Sequence, residues 1–398
     1  MWLALTAAAA PRLELVVVGP GDSQYTLYGH AGVVAFDQGD EPLSQARLFN
    51  FGITDFRRPN YIVDFLGGRV DFWGHERDYQ TYLDRWTRHD REVVRYPLNL
   101  GPDATKALLL RMRDRVREET KHYRYDTFRE NCATRIRDLL DAATGGAVYG
   151  ALAGVPTGRS FRDDVRQAYA GQPALLLLTE IFPGPALDEP RDAWAMAYRP
   201  VALARGLATV TLPDGTPLLG EPHVDRRREG PDPRTGNPNR AQIFLWIISV
   251  VLLAMSVVIV GAPPWARGIV LAGWLAGDVL LGGALLWVAL TTAWPDMQGS
   301  PLLLSYSVLD VGLFWTAGVF IIRRGERGGR WARGWLWVRL GLSLSLLALS
   351  PFVSALNGPI APRAVGVAGV ALALRCAGVG ADARGVFKRL LRWPLRLG

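Results

Sequence analysis

The chain has 398 residues, 49% hydrophobic and 21% charged, with 45 Lys plus Arg against 37 Asp plus Glu for a net charge of +8. That length accommodates two domains, and the apolar and aromatic content excludes a disordered chain. A basic balance suits nucleic acid or an anionic membrane surface. Here the arginines of the second half cluster between apolar blocks, which points to the membrane and away from nucleic acid. Cys132 and Cys376 stand in different halves, so no disulfide framework within one domain and no cysteine pair for zinc is expected.

Residues 1–12 open on MWLALTAAAA, apolar and ending in small residues, and are expected to be a truncated signal segment. Residues 13–222 then read as a soluble domain. Runs at 13–19, 30–36, 46–53 and 91–100 predict strands, bounded by turn sequences such as GPGD and DQGDEP. NYIVDFLGG is ambiguous between helix and strand. GPDATKALLLRMRDRVREE predicts a helix started by Pro102 and Asp103. In YRYDTFRENCATRIRDLLDAATGG, Asn131 is a good N-cap, and Cys132, Ile136, Leu139, Leu140 and Ala143 form one stripe. Gly145 and Gly146 end that helix. Residues 223–240, rich in Arg, Pro, Gly and Asn, predict a linker.

Residues 241–380 hold five apolar blocks, at 243–260, 269–290, 302–322, 336–356 and 360–374, each read as a span of a ~30 Å hydrocarbon core. The loop RRGERGGRWAR and the tail at 381–398 are strongly basic, whereas TTAWPDMQGS and NGP carry no Lys or Arg. Positive charge marks the cytoplasmic side, so the soluble domain is expected outside it.

Cys132 therefore opens a helix, where unpaired N–H groups stabilise a thiolate and lower its pKa. His30, at the start of a central strand, is the best-placed base. The bland alternative makes Cys132 core filler and His30 a strand-end residue. A metal site from His30, His75 and His122 lacks both H-x-x-x-H spacing and carboxylate partners.

The motifs YGHAGVV, FNFGITDF, YRYDTFRENCATRIRDLL and DEPRDAWAMAYRP resemble, in order, the Lnb-type N-terminal extracytoplasmic domain, associated with bacterial lipoprotein N-acyltransferase activity. The order His30 then Cys132 is also similar to circularly permuted papain-like folds of the NlpC and lecithin retinol acyltransferase kind. The resemblance implies an α+β, permuted papain-like periplasmic domain followed by an all-α bundle of about five helices in the bacterial inner membrane. It implies a cysteine acyltransferase without cofactor or metal, taking an acyl chain from phospholipid to a diacylated lipoprotein. Cys132 would be the nucleophile, His30 the base and Asn50 the orienting group, with Asp55 second for that role. Arg135 and Asn131 would contact substrate. An extracytoplasmic papain-like hydrolase and a non-catalytic membrane sensor are the rival readings.

Overall fold

The computed structural model describes residues 10–38, 41–323, 329–356 and 358–378. Most of the expected signal segment, residues 324–328 of the Arg-rich loop and the tail at 381–398 lie outside the described residues. The chain divides into two compact units, Met1–Gln172 with Glu189–Asn237, and Pro173–Asp188 with Pro238–Gly398. The expected soluble domain at 13–222 is thus interrupted: 173–188, which includes the apolar run PALLLLTEI, packs with the membrane unit instead.

The first unit begins β1 (Arg12–Val18), β2 (His30–Phe36), β3 (Arg47–Ile53), α1 (Tyr61–Leu66), β4 (Asp71–Asp78), α2 (Tyr79–Arg88), β5 (Val93–Pro97), α3 (Pro102–Asp114), β6 (His122–Arg124), α4 (Cys132–Ala143) and α5 (Ala147–Leu152). It continues with β7 (Pro156–Ser160) and α6 (Phe161–Ala168). After α7 (Pro173–Ile181), which belongs to the second unit, come β8 (Pro190–Asp192), α8 (Ala193–Met196), α9 (Pro200–Leu207) and β9 (His223–Arg226). The ambiguous NYIVDFLGG is helical, as α1.

Seven strands form one antiparallel sheet in the order β6-β4-β3-β2-β1-β5-β9, and β7 pairs with β8. Successive side chains of a strand point to opposite faces. Leu15, Val17, Ala31, Val33, Phe49 and Phe51 accordingly join Ile136 and Leu140 of α4 in one core. Val16, Val18, Val34 and Leu48 join Tyr79 and Trp86 of α2 in the other. With both faces covered, the central strands read as continuous apolar runs rather than alternations. The aromatic stretch around Tyr79 and Trp86 is core, not a surface resting on lipid.

β9 replaces the start of the expected linker at 223–240. It gives no apolar signal because an ion pair anchors it: Arg95 donates to Asp225 at 2.5 and 2.8 Å, and the Tyr79 hydroxyl donates to the same carboxylate at 2.5 Å.

The second unit adds α10 (Arg240–Val258), α11 (Pro264–Thr291), α12 (Phe314–Arg323), α13 (Gly329–Leu349) and α14 (Ile360–Cys376). Among the described residues three stretches are long and apolar enough to span a membrane: Arg240–Gly261, Pro264–Thr291 and Pro295–Gly318. The expected fourth and fifth spans are helical but fall short of that standard, α13 carrying Arg330, Arg333 and Arg339 and α14 having 17 residues. The third stretch is broken into 3-10 turns at Pro295–Met297, Pro301–Leu304 and Val308–Leu313 before α12 begins. Pro295 and Pro301 supply no N–H for an α-helix to continue.

The freed carbonyls of that stretch meet a buried cation. Arg339, 2% exposed, donates to the carbonyls of Leu304 and Ser305 at 2.8 and 2.7 Å. It also pairs with Asp278 at 3.2 Å and Asp310 at 3.3 Å. Trp335 Nε1 donates to Asp310 at 2.6 Å, and the Ser307 N–H to Asp278 at 3.1 Å. Ionisable groups in a membrane unit are tolerated when paired in this way.

Candidate active site

Asn131 stands in extended conformation ahead of α4, and its Oδ1 accepts from the N–H groups of Ala133 at 2.8 Å and Thr134 at 3.0 Å. Thr134 Oγ1 accepts from the Asn131 N–H at 2.8 Å, closing a capping box. The Asn131 amide nitrogen donates to the carbonyls of Thr127 and Tyr198 at 2.7 and 3.0 Å. Its amide is therefore spent on the fold. In this arrangement it sets the start of α4, and with it the place of Cys132. The motif containing AWAMAYRP supplies the Tyr198 carbonyl that holds it.

His30 opens β2, paired with Val18 of β1. Its Nε2 lies 2.7 Å from Asn50 Oδ1. With the amide oxygen accepting, Nε2 carries the proton and Nδ1 keeps its lone pair. Asn50, on β3 opposite Gly32, is 1% exposed, so its amide is held fully inside.

Gly52 brings imidazole and thiol together. It lies at a register shift between β3 and β4, with φ +129°, where glycine is favoured. A Cβ built there would lie 3.3 Å from His30 Cε1 and 3.4 Å from Cys132 Cβ. The absent side chain is thus the gap across which His30 faces Cys132. A bulge beside an active site commonly re-aims side chains in this way.

The electrostatics depart from the expectation of a thiolate stabilised by the helix start. Burial pushes the Cys132 thiol up, against the opposing hydrogen bonds from the Ala31 and Ala133 N–H groups and the Arg91 charge. Burial also lowers His30 to about 4, assisted by Arg91 and opposed by the bond to Asn50. Both shifts favour the uncharged forms, thiol and imidazole.

Several participants carried no sequence signal. The Tyr82 hydroxyl of α2 lies 2.7 Å from His75 Nε2. His75 faces Asn50 across the β3–β4 pair and is half-buried rather than solvated. The Tyr123 hydroxyl is buried without a hydrogen-bond partner, and burial first, then the nearby Cys132, push its phenol up. A cross-strand position or an orphaned hydroxyl has no periodicity by which to find it.

Arg135 is only 9% exposed at its side chain, ion-paired with Glu130 and stacked 4.2 Å over the Tyr123 ring. Its guanidinium packs the wall beside Tyr123. Asp55 is exposed in a turn, accepting from the Arg57 N–H at 2.9 Å, away from His30's hydrogen bond. His122 lies exposed on β6.

Fold and site together define a membrane protein with an α+β domain that gathers a thiol, an imidazole and a carboxamide at one helix start. Residues 2–170 match the family model of the Lnb N-terminal periplasmic domain. The first unit thus carries an Lnb-type periplasmic domain, and it is followed by stretches apolar enough to span a membrane. No curated protein and no solved structure matches the chain.

Proposed function

We propose that the chain is a cysteine acyltransferase of the bacterial inner membrane that moves an acyl chain from phospholipid to the N-terminal amine of a diacylated lipoprotein. The observation that carries this reading is the Cys132–Gly52–His30–Asn50 arrangement, in which His30 and Cys132 both border the gap left by Gly52 while Nε2 is tied 2.7 Å from Asn50. A permuted papain-like domain presents its nucleophile in the same chain order.

In the first half-reaction His30 Nδ1 takes the thiol proton as Cys132 Sγ attacks the ester carbonyl. The oxyanion is held by the Cys132 N–H and the unpartnered Tyr123 hydroxyl. Collapse breaks the ester C–O bond, and the lysophospholipid leaves with the proton from His30, leaving a thioester on Cys132. The lipoprotein amine then attacks that thioester with His30 as base, forming the amide and restoring the thiol. Basic charge after the third apolar stretch favours an extracytoplasmic domain.

The test is intact-mass spectrometry of the full-length protein incubated with phospholipid vesicles. An acyl adduct that hydroxylamine removes, lost in Cys132→Ala and discharged by a diacylated lipopeptide, is the expected result. Turnover of a peptide substrate with no acyl adduct would instead establish a hydrolase.

A further inference from the structure

Arg91, in the turn between α2 and β5, is 6% exposed. Its Nε and Nη2 both donate to the Gly19 carbonyl, at 2.9 and 2.7 Å. Among the described residues no carboxylate pairs with it. Buried guanidinium groups ordinarily have an anionic partner, because an uncompensated charge costs several kcal/mol. Like charge from Arg228 and Arg85 adds to the cost, and burial lowers the guanidinium to about 10. Nothing in the fold alone accounts for a cation placed at such expense.

Its surroundings supply the account. Gly19 follows Val18, the residue paired with His30, and a Cβ on Gly29 would meet the Val18 carbonyl at 2.6 Å. The Arg91 N–H donates at 3.0 Å to the carbonyl of Trp86, whose ring lies 6.3 Å from that of His30. An anion-forming group that favours its charge is Cys132. The other titratable groups interacting with the thiol are Tyr123 and Tyr125, whose phenols burial keeps neutral. From this geometry we infer that Arg91 is the fixed countercharge of the site, a positioning residue whose guanidinium stabilises the Cys132 thiolate as it forms.

This deepens the acyltransferase reading, yet its readout needs no acyl transfer. The pH dependence of iodoacetamide alkylation is measured on full-length protein in detergent, in a Cys376→Ala background so that one thiol reports. Arg91→Gln keeps a donor for the Gly19 carbonyl and removes the charge. It is expected to move the alkylation midpoint up by about one pH unit, slowing alkylation about 10-fold below the midpoint. Arg91→Lys keeps the charge without the fork and is expected to stay within about 0.3 pH unit of the parent. A Gln profile that superimposes on the parent's overturns the inference. Should Gln fail to fold, the Lys variant decides: a parent-like profile supports the countercharge, and a displaced one shows that the forked bond to Gly19 was the role. An Arg91-dependent profile in a protein that never forms a thioester sinks acyl transfer and leaves Arg91's role standing.

Discussion

Two buried arginines, one in each unit, answer the same electrostatic problem in opposite ways. Arg339 has two carboxylates and two carbonyls around it, so every part of its charge is met. Arg91 has one carbonyl and no carboxylate among the described residues. A satisfied charge holds structure together; the unsatisfied one is the countercharge we infer for Cys132. The same contrast separates Asn131, whose amide is fully bonded in a helix cap, from the Tyr123 hydroxyl, which is buried and unpartnered.

The largest effect expected is at the nucleophile. Cys132→Ala should abolish acyl transfer while expression stays normal, and Cys376→Ala in the other unit should leave the rate unchanged, both measured by lipopeptide acylation. Substantial turnover by Cys132→Ala would remove the thiol from the mechanism. Next, His30→Ala is expected to slow thioester formation ~10²–10⁴-fold, the usual contribution of a general base. A wild-type acylation rate in that variant at neutral pH would break the link between the Gly52 gap and proton transfer.

The comparison of arginines is sharpened by Arg339→Met, which strands Asp278 and Asp310. Removing one partner of a buried pair costs ~3–5 kcal/mol. The variant should lose folded protein on size exclusion in detergent, whereas Arg91→Gln should elute as the parent does. If Arg339→Met is as stable as the parent, the membrane-unit cluster is not structural. Gly52→Ala is expected to cost ~1–3 kcal/mol from backbone strain. It should also lower thioester formation, because the new methyl sits between His30 and Cys132. Unchanged melting and unchanged acylation together would disprove the gap.

The smallest effect is on acid stability. His30 and His75 are both lowered from 6.5 to about 4, chiefly by burial. Between those values the unfolded chain binds protons that the folded chain does not. Stability is therefore full above about pH 6.5 and falls as pH drops toward 4. Thermal melts of the parent and of His30→Ala across that window check the sign, since the variant should show a shallower decline.

Much of the first unit was legible because local signals and tertiary packing agree there. The apolar run at His30–Phe36 is a strand with those bounds, and Asn131 caps the helix that Cys132 opens. His30, Cys132 and Asn50 were readable as residue types in motifs. Elsewhere the sequence determined less. β9 looked like linker because a salt bridge to Arg95, not apolar periodicity, holds it in the sheet. The run at 173–181 is helical and apolar, yet only packing assigns it to the membrane unit.

What the sequence determined by itself is the division into a polar α+β half and an apolar helical half, with a histidine at a strand start and a cysteine at a helix start. What only the tertiary structure decided is the charge state and the company of those groups. A helix N-terminus lowers a thiol and burial raises it, and the balance depends on how completely β2, β3 and α4 close around the sulfur. No spacing along the chain encodes that closure. Nor does any encode that Arg91, 41 positions before Cys132, is buried on the Gly19 carbonyl with no carboxylate among the described residues.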